Sequence, residues 1–293
     1  MRFGIVILPE HRWADAAPLW RRAEEYGFDH AWTYDHLVWA GLPDSSWFGA
    51  LPTLTAAAGV TSGIRLGTFV SSPNYRHPYP FVRDLLALDD ICGGRLVCGL
   101  GTGGDLDSGI LGEQWSVKER VARFQEFVEL LDRLLREDHV HHVGTYYRTV
   151  DARTLPGSTW MSDTAQRPRV PFVVAANGPR ALRLAAAFGQ GWVTYGRGGE
   201  SFEDWWGGVS QLSRQLDDIE AGAGRDAPLD RYLSLDGGPR FSLESAELFE
   251  EMTGRAAELG FTDVVTHWPR RDGPYAGRAE VLDEVASRLP GLA

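Results

Sequence analysis

A chain of 293 residues, 43 % hydrophobic and 24 % charged, can bury a large core and is too apolar for a disordered or fibrous class. Its formal net charge of −11 argues against a general nucleic-acid or anionic-membrane surface. The N-terminal run FGIVILP is too short and wrongly flanked for a leader, and no later run approaches the ~18 apolar residues of a membrane span. A cytoplasmic protein of one domain, residues 1–293, is therefore expected.

In chain order, β-rich runs alternate with helical patterns. RFGIVIL (2–8) precedes DAAPLWRRAEEYG, HAWTY (30–34) precedes WFGALPTLTAAAGV, IRLGTFV (64–70) precedes PFVRDLLALDDICG, and RLVCGL (95–100) precedes VKERVARFQEFVELLDRLLRE. After a break, PFVVAA (171–176), GWVTY (191–195), RYLSLDG (231–237) and TDVVTH (262–267) are each followed by another apolar period near 3.6. Eight such beats predict an α/β protein, a closed (β/α)₈ TIM barrel whose chemistry sits on the loops after the strands. An open doubly wound sheet is the alternative. The break, at about 139–168, has no good helix and reads as an inserted loop or short hairpin between helix 4 and strand 5, on the N-terminal side of the barrel. Cys92 and Cys98 flank a Gly-Gly turn and read as small core residues.

The strand ends carry the candidate chemistry. WTYDHLVW places Asp35 and His36 where strand two meets its loop, and histidine suits proton transfer. Strand three runs into SSPNYRHP, with Arg76 and His77. Strand four ends in GLGTGG, where Gly101, Thr102, Gly103 and Gly104 offer free N–H groups to an anion. After strand five, AANGPRALRLA places Ala176, Asn177, Gly178, Pro179 and Arg180 at a helix start, a seat for phosphate. Asp35, His36, His77 and His267 leave a metal-dependent hydrolase as a competing class, although no metal is expected; HVHH (139–142) reads as a solvated loop. Aromatic residues near the strand ends, among them Trp39, Trp47 and Tyr195, favour a planar or apolar small-molecule partner.

Taken in order, YDHLVW, IRLGTFVSSPNYRHP, LALDDICGGRLVCGLGTGG and VPFVVAANGPRALRLAAAFGQGWVT resemble the bacterial luciferase-like monooxygenase superfamily of flavin and deazaflavin oxidoreductases, in particular its coenzyme F-420-dependent branch. The resemblance implies a barrel that holds coenzyme F-420, with FMN as the alternative, its phosphate at the loops after strands four and five. It implies that His36 exchanges a proton beside the ring, that Asp35 orients it, and that Thr68, Phe69 and Val70 press on the ring's back across a cis bond at Phe69–Val70. A homodimer through helices two and three follows, and with FMN a separate flavin reductase. A non-catalytic flavin-binding protein of the same fold is a further alternative. One departure bears on substrate: sugar-phosphate dehydrogenases of the family carry an acid directly after GTG, where this sequence has Gly104 and then Asp105. Arg197, after strand six, is the candidate cation for a charged substrate.

Overall fold

The computed structural model describes residues 1–154, 166–225 and 227–292. Its strands are β1 (Arg2–Val6), β2 (His30–Thr33), β3 (Arg65–Thr68), β4 (Leu96–Leu100), β5 (Val140–Val143), β6 (Arg148–Ala152), β7 (Phe172–Ala175), β8 (Gly191–Thr194), β9 (Asp230–Ser234) and β10 (Asp263–His267). The helices are α1 (Trp13–Glu25), α2 (Ala50–Ala58), α3 (Pro78–Ile91), α4 (Asp105–Ile110), α5 (Val117–Arg136), α6 (Pro179–Phe188), α7 (Phe202–Ala223), α8 (Ala246–Glu258) and α9 (Ala279–Leu292). All strands but β5 and β6 close into one parallel barrel in the order β1-β10-β9-β8-β7-β4-β3-β2. The expected (β/α)₈ barrel is what forms, and the doubly wound alternative falls.

The strands are apolar on both faces because each is covered twice. Outward residues such as Leu66, Cys98, Phe172 and Leu233 pack under the helices. Inward Val6, Val97, Val173, Val193 and Val265 fill the bore with Trp32 and Tyr232. Cys92 and Cys98 are buried free thiols, as small core residues should be. Polar groups close the floor of the barrel. Asp263 accepts from His30 Nε2 at 3.0 Å and from Arg2 Nε at 2.8 Å, while His30 Nδ1 accepts from the Trp32 indole at 2.6 Å.

Local signals set the helix ends. Ser116 and Glu119 form a capping box at α5, Ser201 and Asp204 another at α7, and Gly224 ends α7 with φ +60°. The apolar residues of α2 and α3, the helices the resemblance assigns to a homodimer, include Leu51, Leu54, Leu85 and Leu88, and these are buried in the chain itself. The insertion is an antiparallel hairpin, β5 with β6. It leaves from the floor side, where Thr154 Oγ1 donates to Leu134 O at 2.6 Å, and then climbs the outside of α5. At its tip Tyr147 meets the edge of His77, and Tyr146 that of Trp115. The climb is steered by Glu126 of α5, whose carboxylate accepts the N–H groups of Thr145, Tyr146 and Tyr147 and pairs with His142 at 3.1 Å. Those donors hold the Glu126 carboxyl below its usual range against the opposing push of burial.

Candidate active site

At the carboxyl ends of the strands the loops enclose a cavity of about 350 Å³, walled by Tyr34, His36, Phe69, Val70, Asp236 and Tyr275 among others. Val70, Gly103, Ala175 and Tyr195 line it and also an adjoining groove of about 890 Å³, which runs past Gly101–Gly104 and Lys118 to the start of α6. The two spaces are continuous along the rim, one aromatic and one made of backbone and cations.

His36 enters the cavity from the β2 loop. Its Nδ1 lies 2.8 Å from Oδ2 of Asp107, a buried residue of α4 whose Oδ1 accepts the Leu37 N–H at 2.8 Å. A carboxylate that takes a backbone donor on one oxygen takes the imidazole proton on the other, so Nδ1–H donates and Nε2 is left facing the cavity. Asp107 thus fixes both the ring's tilt and its tautomer.

A second histidine closes the other wall. His267, the last residue of β10, is fully buried between Asp236 and Tyr34, with Nδ1 to Oδ2 at 2.7 Å and Nε2 to the phenol at 2.8 Å. The Tyr34 hydroxyl also meets that of Tyr275 at 2.9 Å. Tyr275 lies flat on His267, ring centroids 3.7 Å apart, and stacks on Trp39 on its other side. Burial, with the Tyr275 phenol and the Asp236 charge beside it, raises the Tyr34 phenol well above its ordinary range, and burial pushes Tyr275 up to about 12. Both phenols are neutral at working pH.

The groove has the form of an anion cradle. A Cβ built on Gly104 or on Gly178 would meet nothing within 4 Å, so the backbone there is open to a ligand. Gly178 caps α6 without a side-chain hydrogen bond and Pro179 follows at the first helical position, which leaves unpaired N–H groups and the positive end of the helix dipole facing the groove. Lys118, from the first turn of α5, and Arg180 line the same space. Open backbone, a helix start and two cations fit a phosphate-bearing cofactor.

A model of the luciferase-like monooxygenase family matches residues 1–231. The chain belongs to this family. A curated relative of the luciferase-like chain, the F-420-dependent glucose-6-phosphate dehydrogenase of Intrasporangium calvum, is 34 % identical to it over 92 % of this chain and 92 % of its own length. The fold is shared with the coenzyme F-420-dependent tetrahydromethanopterin reductase of Methanopyrus kandleri, at TM-score 0.76 and 19 % identity over 100 % of this chain and 99 % of that one. It is shared also with an F-420-dependent secondary alcohol dehydrogenase in complex with an F-420-acetone adduct, at TM-score 0.79 and 16 % identity with the same coverage.

In this luciferase-like barrel several residues stand elsewhere than their sequence positions suggested. Asp35 does not orient His36. Its buried carboxylate is bound by Arg76 at 2.6 Å, the Tyr75 phenol at 2.6 Å and Ser71 Oγ at 2.5 Å, so it ties the β2 loop to the β3 loop. The orienting partner, Asp107, was missed because it lies on a short helix after the Gly-rich turn; the acids of DLDS following GTGG were the available signal. Thr68 is buried with its hydroxyl spent on Gly99 O at 2.9 Å, leaving Phe69 and Val70, joined by a cis peptide, to face the cavity. Asn177 lines the groove, but its side chain is already engaged: it accepts from Thr194 Oγ1 at 2.6 Å and donates to Gly196 O at 3.0 Å. Gly101 and Gly103 differ from Gly104, since a Cβ on either would collide with Val70 or with Asn74 and Ser72; their smallness serves loop packing, and Gly103 also needs its φ of +73°. Thr102, Ala176 and Pro179 line the groove as expected. Arg197 turns away to Gln211 and Gln215 of α7 at 2.8 and 2.9 Å. His77 caps α3 by accepting from the Tyr79 N–H at 3.2 Å, and burial lowers its pKa. Among the described residues no three His, Cys, Asp or Glu side chains converge as a metal site requires.

Proposed function

We propose that this oxidoreductase binds a deazaflavin, coenzyme F-420, along the joined cavity and groove and serves hydride exchange with a small uncharged alcohol or carbonyl compound. The observation that carries the reading is His36: its Nδ1 proton is pinned by Asp107 at 2.8 Å, and its other nitrogen is left to a cavity that opens into an anion cradle. Phe69 and Val70 would back the ring, while Gly104, Lys118 and the α6 start at Gly178–Arg180 would hold the phosphate. When bound, the deazaflavin supplies the carbon that takes or gives hydride. His36 Nε2 holds or exchanges a proton on the ring side, and the aromatic wall of Tyr34, Trp39, Phe69 and Tyr275 excludes water from it. The name of the 34 % identical relative supports the cofactor. For substrate, the described residues lining the cavity include no Lys or Arg, and Gly104 replaces the acid after GTG, both of which disfavour a sugar phosphate. A homodimer belongs to the same reading, with mass in solution as its check. Fluorescence titration of the purified chain with coenzyme F-420 and with FMN tests the proposal: the deazaflavin should bind in the micromolar range and more tightly than FMN. Binding of neither below millimolar would sink it.

A further inference from the structure

The polar array opposite His36 takes a single direction when the His267 ring is neutral. Asp236 accepts the backbone N–H of Ser242 at 2.8 Å and of His267 at 2.9 Å, and the Thr266 hydroxyl at 3.3 Å. An oxygen pair so loaded with donors is an ionised carboxylate, and the His267 Nδ1 at 2.7 Å must therefore carry a proton toward it. With the His267 ring neutral, Nε2 is a lone pair, and Tyr34, at 2.8 Å, donates to it. That spends the one proton of Tyr34. The 2.9 Å contact between the phenols is consequently donated by Tyr275, whose own proton is spent in turn. Every proton in the row points inward, away from the cavity. Its open end, the Tyr275 oxygen, has lone pairs to offer and no proton, so it can only receive.

We propose that Tyr275 accepts the hydroxyl proton of an alcohol substrate and that Tyr34 and His267 carry it away, a proton route distinct from His36. The proposal rests on the dehydrogenase reading above. In oxidation, the O–H bond of the alcohol breaks and its proton goes to Tyr275 as that phenol's proton passes to Tyr34 and Tyr34's to His267 Nε2. The carbinol C–H leaves as hydride to the oxidised deazaflavin, and the remaining electron pair closes the C=O bond. The positive charge ends on His267 beside the Asp236 carboxylate, so the buried row finishes as an ion pair. The face of Tyr275, 3.7 Å from the imidazole, also favours the cationic form. Carbonyl reduction runs the row in reverse. Tyr275 touches substrate and is a catalytic residue; Tyr34, His267 and Asp236 act through it.

Two measurements decide this. Nitrogen-15 NMR of the free protein should show His267 protonated on Nδ1 and bare on Nε2, and either the opposite tautomer or a doubly protonated ring would overturn the proposal. Cyclohexanol, used as the probe alcohol, should shift the Nε2 signal in the wild type, and the shift should vanish in Tyr34→Phe, which cuts the row behind an intact Tyr275. In turnover, Tyr275→Phe and Tyr34→Phe should each lower cyclohexanol oxidation by about 10²-fold or more while deazaflavin affinity stays within twofold. Unchanged turnover in Tyr275→Phe would also overturn it. If the wild type binds no deazaflavin, the dehydrogenase reading fails on its own, and the tautomer and the cyclohexanol shift still judge the row.

Discussion

His36 and Asp107 are 71 residues apart in sequence and 2.8 Å apart in space. No motif spacing joins them, so the sequence pointed to the neighbouring acid, Asp35, instead. At a strand end successive side chains point in opposite directions, and that alternation sends His36 to the cavity and Asp35 to the β3 loop. The two acids should separate experimentally. His36→Asn is expected to lower turnover by about 10²–10⁴ and leave cofactor affinity within several-fold, measured by steady-state rates beside a fluorescence titration. Asp107→Asn should give a smaller loss of the same kind, because an amide still reaches Nδ1 without fixing its proton. Asp35→Asn should instead cost stability, on the order of 3–5 kcal/mol by denaturant melts, since it strands the largely buried Arg76 guanidinium. The glycines divide as cleanly. Gly178→Val should weaken deazaflavin binding by about tenfold or more yet cost no more than about 1 kcal/mol of stability, the loss of a helix N-cap glycine, because the side chain itself enters open space at an ordinary extended φ. Equal losses of binding and melting temperature would make Gly178 structural.

Most elements were legible because barrel strands read as short apolar runs and their helices as amphipathic ones, two periods that differ sharply. What escaped was short. Helix α4 has six residues, too few to show a period, and the last part of the RYLSLDG run leaves the sheet after Ser234 and turns in a 3₁₀ helix, which brings Asp236 to His267. The hairpin was foreseeable as an interruption, but not its climb toward the rim, since one side chain far away in sequence directs it. Glu126→Ala should therefore release the hairpin tip while the barrel holds: amide exchange at Thr145, Tyr146 and Tyr147 accelerates, with a loss of about 1–3 kcal/mol for the unsatisfied N–H groups. Unchanged protection at these amides would mean that Tyr147 packing alone anchors the tip.

At the scale of the whole molecule the barrel has a polar floor under an apolar bore, and the floor makes its stability depend on acid. Burial pushes the Asp263 carboxyl up, but hydrogen bonds from His30 and Arg2 outweigh it and leave its pKa below the ordinary value of 3.8. A carboxyl depressed on folding contributes stability that is fully present above its unfolded pKa and is lost as pH falls through the folded one. Asp263→Asn should accordingly be less stable than the wild type at neutral pH and lose less on acidification below about pH 4, as read by urea melts across that range. Parallel curves would assign the acid sensitivity to other carboxylates. The molecule also carries an unusual chemical simplicity. Of its 29 basic side chains, all but Lys118 are arginine, and Lys118 is exposed on the rim of the cofactor groove. An amine-selective acylating reagent therefore meets only the terminal amine and this one side chain, so the mass of a single tryptic region reports whether the groove is filled, with no turnover and no chromophore required. Once the terminal amine is blocked, the same side chain offers a single place to couple a dye or a surface within reach of the site.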